Sequence, residues 1–306
     1  MNPSQKEYIS RINKVIDYVE AHLDEELSLE VLSEVANFSP YHFHRIYSAF
    51  MGETLMGFVK RKRIEKAASI INKEPETPIS NIAYACGYNS VSVFCRNFKD
   101  RYGMTAQEFR AGAKERDSKN RQLDSNFGKW DPLKDGYVCN VESLKQRSMK
   151  ITNDITVKEM PEMHLVYYRH TGEFHLIGKA YEKLFTWAGP RGILNQNTKT
   201  ITVYHDDPSV TEIENVRQSA GILVDKDVKG EGEFGTMSVP AGKYIVGSFE
   251  IDVTEFKQAW DSVCIALSES GYQPSDGMPY ELYHCDPENH PEKKFVLDIC
   301  IPVKPL

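Results

Sequence analysis

The sequence predicts an all-α domain of two helix-turn-helix units in tandem, followed by an α+β domain of duplicated β-α-β-β units. Three observations carry this. Residues 27–52 resemble residues 77–103 at their apolar, turn and arginine positions. From residue 153 helical spacing gives way to alternating strand-like segments interrupted by two amphipathic helices. The order strand, helix, strand, strand then occurs twice. At 306 residues the chain is long enough for two full hydrophobic cores.

An amphipathic helix is expected over roughly 7–22, ahead of the first copy. With one residue inserted in the second turn, Leu29 aligns with Ile79, Leu32 with Ile82 and Phe38 with Tyr88. Beyond the turn, Ser39 aligns with Ser90, Phe43 with Phe94, Arg45 with Arg96 and Gly52 with Gly103. Asn37 and Gly87 fall where the chain must turn sharply, and both residue types tolerate the left-handed conformation. Ser39-Pro40 and Thr77-Pro78 read as an N-cap followed by proline at the first helical position. A long helix over roughly 55–72 joins the copies, and Thr105-Ala106-Gln107-Glu108 is a capping box opening one further helix. Residues 113–152 are polar with no sustained period, so the expected organisation is 1–112, a linker over 113–152, and 153–306.

In the C-terminal part, 155–172 is strand-like. A helix follows with Phe174, Ile177, Tyr181, Leu184 and Phe185 on one face, then strands at TITVYHDDP and VRQSAGILVD. The order repeats with a strand at GKYIVGSFEID and a helix whose stripe is Phe256, Trp260, Val263, Cys264 and Leu267. Strands at PYELYHCD and FVLDICIPV close the chain.

Composition narrows the function classes. No run of about 18 apolar residues suggests a membrane span. The first residues lack a signal-type apolar region. The six cysteines form no CxxC pair, which fits reduced thiols in a cytoplasmic protein better than disulfides or structural zinc. The net charge of −7 is uneven: residues 1–112 carry 14 Lys and Arg against 14 Asp and Glu, whereas 153–306 carry 14 against 24. An acidic C-terminal half is a poor phosphate binder and a plausible host for cations. If DNA is bound, the N-terminal half must therefore meet it with locally clustered charge.

The second helix of such a unit enters the major groove. In SPYHFHRIYSAF, Phe43, Ile46, Tyr47 and Phe50 serve the core, which leaves Tyr41, His42, His44 and Arg45 outward. An arginine such as Arg45 pairs bidentately with guanine. In SVSVFCRNFKDRY, Val91, Ser92, Cys95 and Arg96 face outward. Lys60, Arg61, Lys62, Arg63, Lys99 and Arg101 are candidate phosphate contacts, Lys62 and Arg63 foremost. These residues, and above all IAYACGYNSVSVFCRNFKDRYGMTAQEFR, resemble the AraC-type DNA-binding domain over about 5–110. The resemblance implies two recognition helices in successive major grooves of double-stranded DNA. The family's base-reading positions correspond to Tyr41, His44, Arg45, Val91, Ser92, Cys95 and Arg96. It also implies RNA polymerase as a partner and no cofactor.

In PYELYHCDP, alternation puts Glu281, Tyr283 and Cys285 on one strand face and Tyr280, Leu282 and His284 on the other. If buried, the Glu281 carboxyl must be paired with a cation or kept protonated. YYRHTGEF, AYEKLFTWA, SAGILVD, GKYIVGSFE, PYELYHCDP and DICIPV resemble a GyrI-like effector-binding domain over 155–306. The resemblance implies that Glu281 is the central acidic residue for a cationic or lipophilic small molecule. By position, Tyr168, Trp187, Phe249 and Tyr283 are the aromatics placed around it, which suits cation–π contact. The alternative is a hydrolase using Glu281 as general base, with a DNA-tethering N-terminal half. His205, Asp206, Asp207, His284, Asp286 and His290 match no metal-ligand spacing, so no metal site is expected.

Overall fold

The computed structural model describes residues 2–118, 154–195, 198–206, 213–225, 227–285 and 287–306. Seven helices form the N-terminal part: α1 Pro3–Ala21, α2 Leu29–Val35, α3 Pro40–Met51, α4 Leu55–Lys73, α5 Ile79–Ala85, α6 Val91–Tyr102 and α7 Ala106–Ser118. Helix α7 thus runs past residue 112, where the linker was expected to begin, and the rest of that linker lies outside the described residues.

By contacts the chain divides into two compact units that cut across the sequence order. One is Arg11–Ala36 with Glu53–Cys139; the other is Met1–Ser10 and Asn37–Gly52 with Asn140–Leu306.

In the first of these, α4 is the spine. Its Ile64, Ala67, Ala68 and Ile71 pack with Ile82, Ala83 and Cys86, and with Phe94 and Phe98 of α6. The α5–α6 turn depends on Gly87 at φ 77°. A Cβ there would lie 2.3 Å from the Leu23 carbonyl oxygen, so glycine is required by space as well as by backbone conformation. The expected capping box forms: Glu108 accepts from the Thr105 amide at 2.7 Å, and Thr105 Oγ1 accepts from the Glu108 amide at 3.1 Å. The cap at Thr77 does not. Pro78 itself caps α5, and the Thr77 hydroxyl donates instead to Glu74 at 3.1 Å.

The other unit holds the sheet. Its strands are β1 Ile155–Met160, β2 Met163–Thr171, β3 Thr200–Tyr204, β4 Arg217–Val224, β5 Phe234–Val239, β6 Gly242–Ile251, β7 Tyr272–Pro274, β8 Tyr280–Tyr283 and β9 Phe295–Pro305. Helix α8, Gly178–Ala188, follows β2, and α9, Phe256–Glu269, follows β6. Three strands were not foreseen. The segment 155–172 breaks into β1 and β2 at Pro161-Glu162, and β5 and β7 are new.

The order β1-β6-β9-β8-β3-β4-β2-β5 reads symmetrically about the antiparallel β8–β3 seam. The expected repeat is therefore β2-α8-β3-β4 and β6-α9-β8-β9. The leading strand of each half is exchanged, because β1 pairs with β6 and β5 pairs with β2.

Alternation splits the sheet into two faces. One carries Ile201, Val203, Tyr280, Leu282 and Cys300; Met163 and Val239 from one end join Tyr244 and Val246 from the other in the same core, so the sheet curves around this face. The opposite face takes the helices. Leu184 and Ala188 of α8 pack on Val166 and Ile222. Val263 of α9 approaches Gly247, where an added Cβ would stand 2.8 Å from it.

Candidate functional site

Cross-strand pairing lines up Gly247, Ile299, Glu281, Thr202, Ala220, Tyr168 and Phe234 across the helix-covered face. Glu281 stands near the middle of this row, beside the β8–β3 seam, and is 1% exposed. Trp260 Nε1 on α9 donates to its Oε1 at 2.6 Å, and the Tyr283 hydroxyl donates to Oε2 at 2.5 Å. The Tyr204 hydroxyl bonds it as well. Burial nevertheless outweighs these donors and raises the Glu281 carboxyl above its ordinary value. The same burial, with Glu281 beside them, pushes the Tyr204 and Tyr283 phenols well up.

The other half of the repeat holds a neutral version of this arrangement. Thr202 pairs with Glu281 across the seam, and the Tyr181 hydroxyl of α8 lies 2.9 Å from Thr202 Oγ1. A helix-borne aromatic thus touches a central strand residue in both halves, but only the second has a carboxylate there.

Among the cations acting on Glu281 is Arg45, carried by α3 in the same compact unit. Its guanidinium carbon lies 4.1 Å from the Trp260 ring centre and 5.1 Å from that of Tyr204. The Tyr204 and Trp260 rings meet edge to face at 5.5 Å. His42 Nε2 donates to the Ser275 carbonyl at 2.9 Å. At the start of α1, the Tyr8 hydroxyl donates to the Tyr272 carbonyl at 2.8 Å.

These contacts correct the expectation that the α3 face is open. His42 is 3% and His44 4% exposed, and Arg45 is half-buried. The physical reason is that α3 packs on α9, so the face read as outward is covered. The side chain of Tyr41 lies outside what is described.

In the other unit, Ser92, Cys95 and Arg96 are exposed on α6, as expected, while Val91 is half-buried against the helical core. Lys62 and Arg63 are not available as foreseen. The Lys62 ammonium lies 2.8 Å from Glu20, and its side chain is 13% exposed. Arg63 donates to the Leu23 and Glu25 carbonyls at 2.9 and 2.6 Å. Arg61 is held between Glu53 and Glu65. Because α4 is a central helix, its basic run largely braces the fold, and Lys60, with its side chain 48% exposed, stays the more open.

Of the four aromatics placed around Glu281, Tyr283 is hydrogen-bonded to it. Tyr168 is three strands from β8, about 14 Å at ordinary strand spacing. With Trp187 it joins a separate cluster at Phe234, whose ring stacks on Trp187 at 4.8 Å. Phe249 is 3% exposed on β6, near Gly247. The partners that do meet Glu281, Trp260 and Tyr204, were legible only in part. Trp260 lies on the apolar stripe of its helix, and Tyr204 stands two residues past Thr202 as Tyr283 stands two past Glu281.

The polar residues weighed for a metal have other partners. His205 lies 2.9 Å from the Ser219 hydroxyl, Asp206 accepts three hydrogen bonds from Arg217, His284 pairs with Asp298 at 2.9 Å and His290 lies 3.6 Å from Glu250. Asp207 and Asp286 lie outside the described residues.

Comparison with known proteins finds two separate family matches. Residues 32–112 match a helix-turn-helix domain family, and residues 153–304 match the GyrI-like small molecule binding domain. A probable transcriptional regulator, LumQ, of Photobacterium leiognathi is 34% identical over 33% of this chain and 41% of its own length. The HTH-type transcriptional regulator YbfP of Bacillus subtilis is 30% identical over 38% of this chain and 39% of its own. The chain thus spans about two fifths of the length of these relatives. The crystal structure of the EcmrR C-terminal domain matches 51% of this chain and all of its own, at 19% identity and a TM-score of 0.42. Residues 32–112 are thus an AraC-type helix-turn-helix domain and residues 153–304 a GyrI-like small molecule binding domain.

Proposed function

We propose that this protein is a sequence-specific, ligand-responsive transcriptional regulator. Its helix-turn-helix half binds double-stranded DNA, and its GyrI-like half takes a cationic, aromatic small molecule at Glu281. RNA polymerase is the machinery such a regulator serves. The observation that carries the ligand reading is the Glu281 carboxylate, buried in the sheet with aromatic donors on both oxygens and an arginine stacked beside it. A buried carboxylate bordered by indole and phenol faces favours a delocalised cation over an anion or a neutral sugar. On the DNA side, the exposed Ser92, Cys95 and Arg96 support reading by α6.

The test is a calorimetric titration of the full chain with benzamidinium, a planar aromatic cation. Wild type is expected to bind it, and Glu281→Gln to weaken binding at least tenfold, about 1.4 kcal/mol or more. Equal affinities would remove Glu281 from the site.

A hydrolytic use of Glu281 is the second reading, favoured by its raised carboxyl, which suits a general base better than an ordinary glutamate does. Aryl-ester turnover by the wild type that disappears in Glu281→Gln would establish it in place of sensing.

A further inference from the structure

We propose that Arg45 is the built-in occupant of the cation site, so that the effector and the DNA-reading face of α3 compete for the same carboxylate and rings. This rests on Glu281 being a cation site.

The Arg45 guanidinium is itself a planar, delocalised cation, the class of group a carboxylate flanked by aromatic faces selects. It stacks on Trp260 at 4.1 Å, within reach of the Tyr204 ring, and its charge acts on Glu281. Trp260 links the two: its face carries the guanidinium while its Nε1 donates to the carboxylate. A cation that paired with Glu281 and stacked on Trp260 would need the space and the charge that Arg45 now uses.

Arg45 also lies on the helix face aligned with base reading. One guanidinium cannot lie on Trp260 and pair with guanine edges at the same time. Its neighbours are engaged in the same way, His42 through its bond to the Ser275 carbonyl and His44 by burial. Occupation by Arg45 therefore holds the α3 face against α9. A soluble cation in the site removes one of the contacts that keep it there. Binding a ligand then shifts the helix toward its free form only by the difference in affinity between the two arrangements.

Two measurements on the full chain test this. The first compares benzamidinium affinity in wild type, Arg45→Gln and Arg45→Lys. Removing the internal competitor should tighten binding about tenfold in Arg45→Gln, while Arg45→Lys, which keeps the charge, stays closer to wild type. The second follows amide hydrogen exchange in residues 40–51, which should quicken when wild type is saturated with benzamidinium. Equal affinities in all three proteins, or unchanged exchange at saturation, would overturn the competition. If Arg45→Gln also binds no benzamidinium, the cation site itself is wrong, a different failure from equal binding in all three that Glu281→Gln abolishes.

Discussion

Glu281 and His205 are both taken out of water by the sheet, and burial moves their titrations in opposite directions. For Glu281 the folded carboxyl is raised above its ordinary 4.5, so just above that value the folded chain keeps the proton more readily than the unfolded chain does. Wild type should therefore lose stability relative to Glu281→Gln as pH climbs through and above 4.5, read as a falling difference between their melting temperatures. His205 is lowered from 6.5 to about 4, by burial first and then by Arg169 and Arg217. Its neutral form is the folded one, so stability present above pH 6.5 drains away as pH falls toward 4. His205→Gln should remove that acid-side loss, of order 2 kcal/mol, and flatten thermal melts between those values. A His205→Gln variant as acid-sensitive as wild type would contradict the assignment.

At the scale of elements, the turns and caps were readable because each needs a particular residue type at one position. Gly87→Ala must place a Cβ 2.3 Å from the Leu23 carbonyl at φ 77°, so denaturant unfolding should show a loss of about 2 kcal/mol or more. Thr105→Ala removes half of the capping box and should cost about 1 kcal/mol, a value that thermal melts resolve. The α3 and α6 helices were equally visible in the amphipathic pattern. What the pattern could not show was which outward face would later be covered. His42 and His44 read as exposed because nothing within their own helix-turn-helix calls for burial; α9, more than two hundred residues away in sequence, covers them. The Lys62 and Arg63 positions were misread for a related reason. A basic run looks solvated until its partners, Glu20 and the carbonyls of Leu23 and Glu25, are brought to it by folding.

Over the whole molecule, duplication made the architecture legible twice. The two helix-turn-helix copies align residue by residue, and the β-α-β-β order repeats. The exchange of β1 and β5 between halves left no trace in the pattern, because an edge strand shows its alternation whichever neighbour it joins. The same holds for the site. Strand alternation placed Glu281 and Tyr283 on one face, but distance across a sheet depends on strand order, and that order put Tyr168 with Trp187 and Phe234. Arg45 was foreseen as a base reader; its seat on Trp260 ties the α3 face proposed to read DNA to the indole that donates to the carboxylate. The most direct test of that link is the affinity of the full chain for a selected DNA sequence, by fluorescence anisotropy at fixed salt, with and without saturating benzamidinium. Benzamidinium is expected to tighten DNA binding several-fold in wild type and to leave Glu281→Gln unmoved. Identical DNA affinity in wild type with and without the cation, or an equal shift in Glu281→Gln, would contradict it.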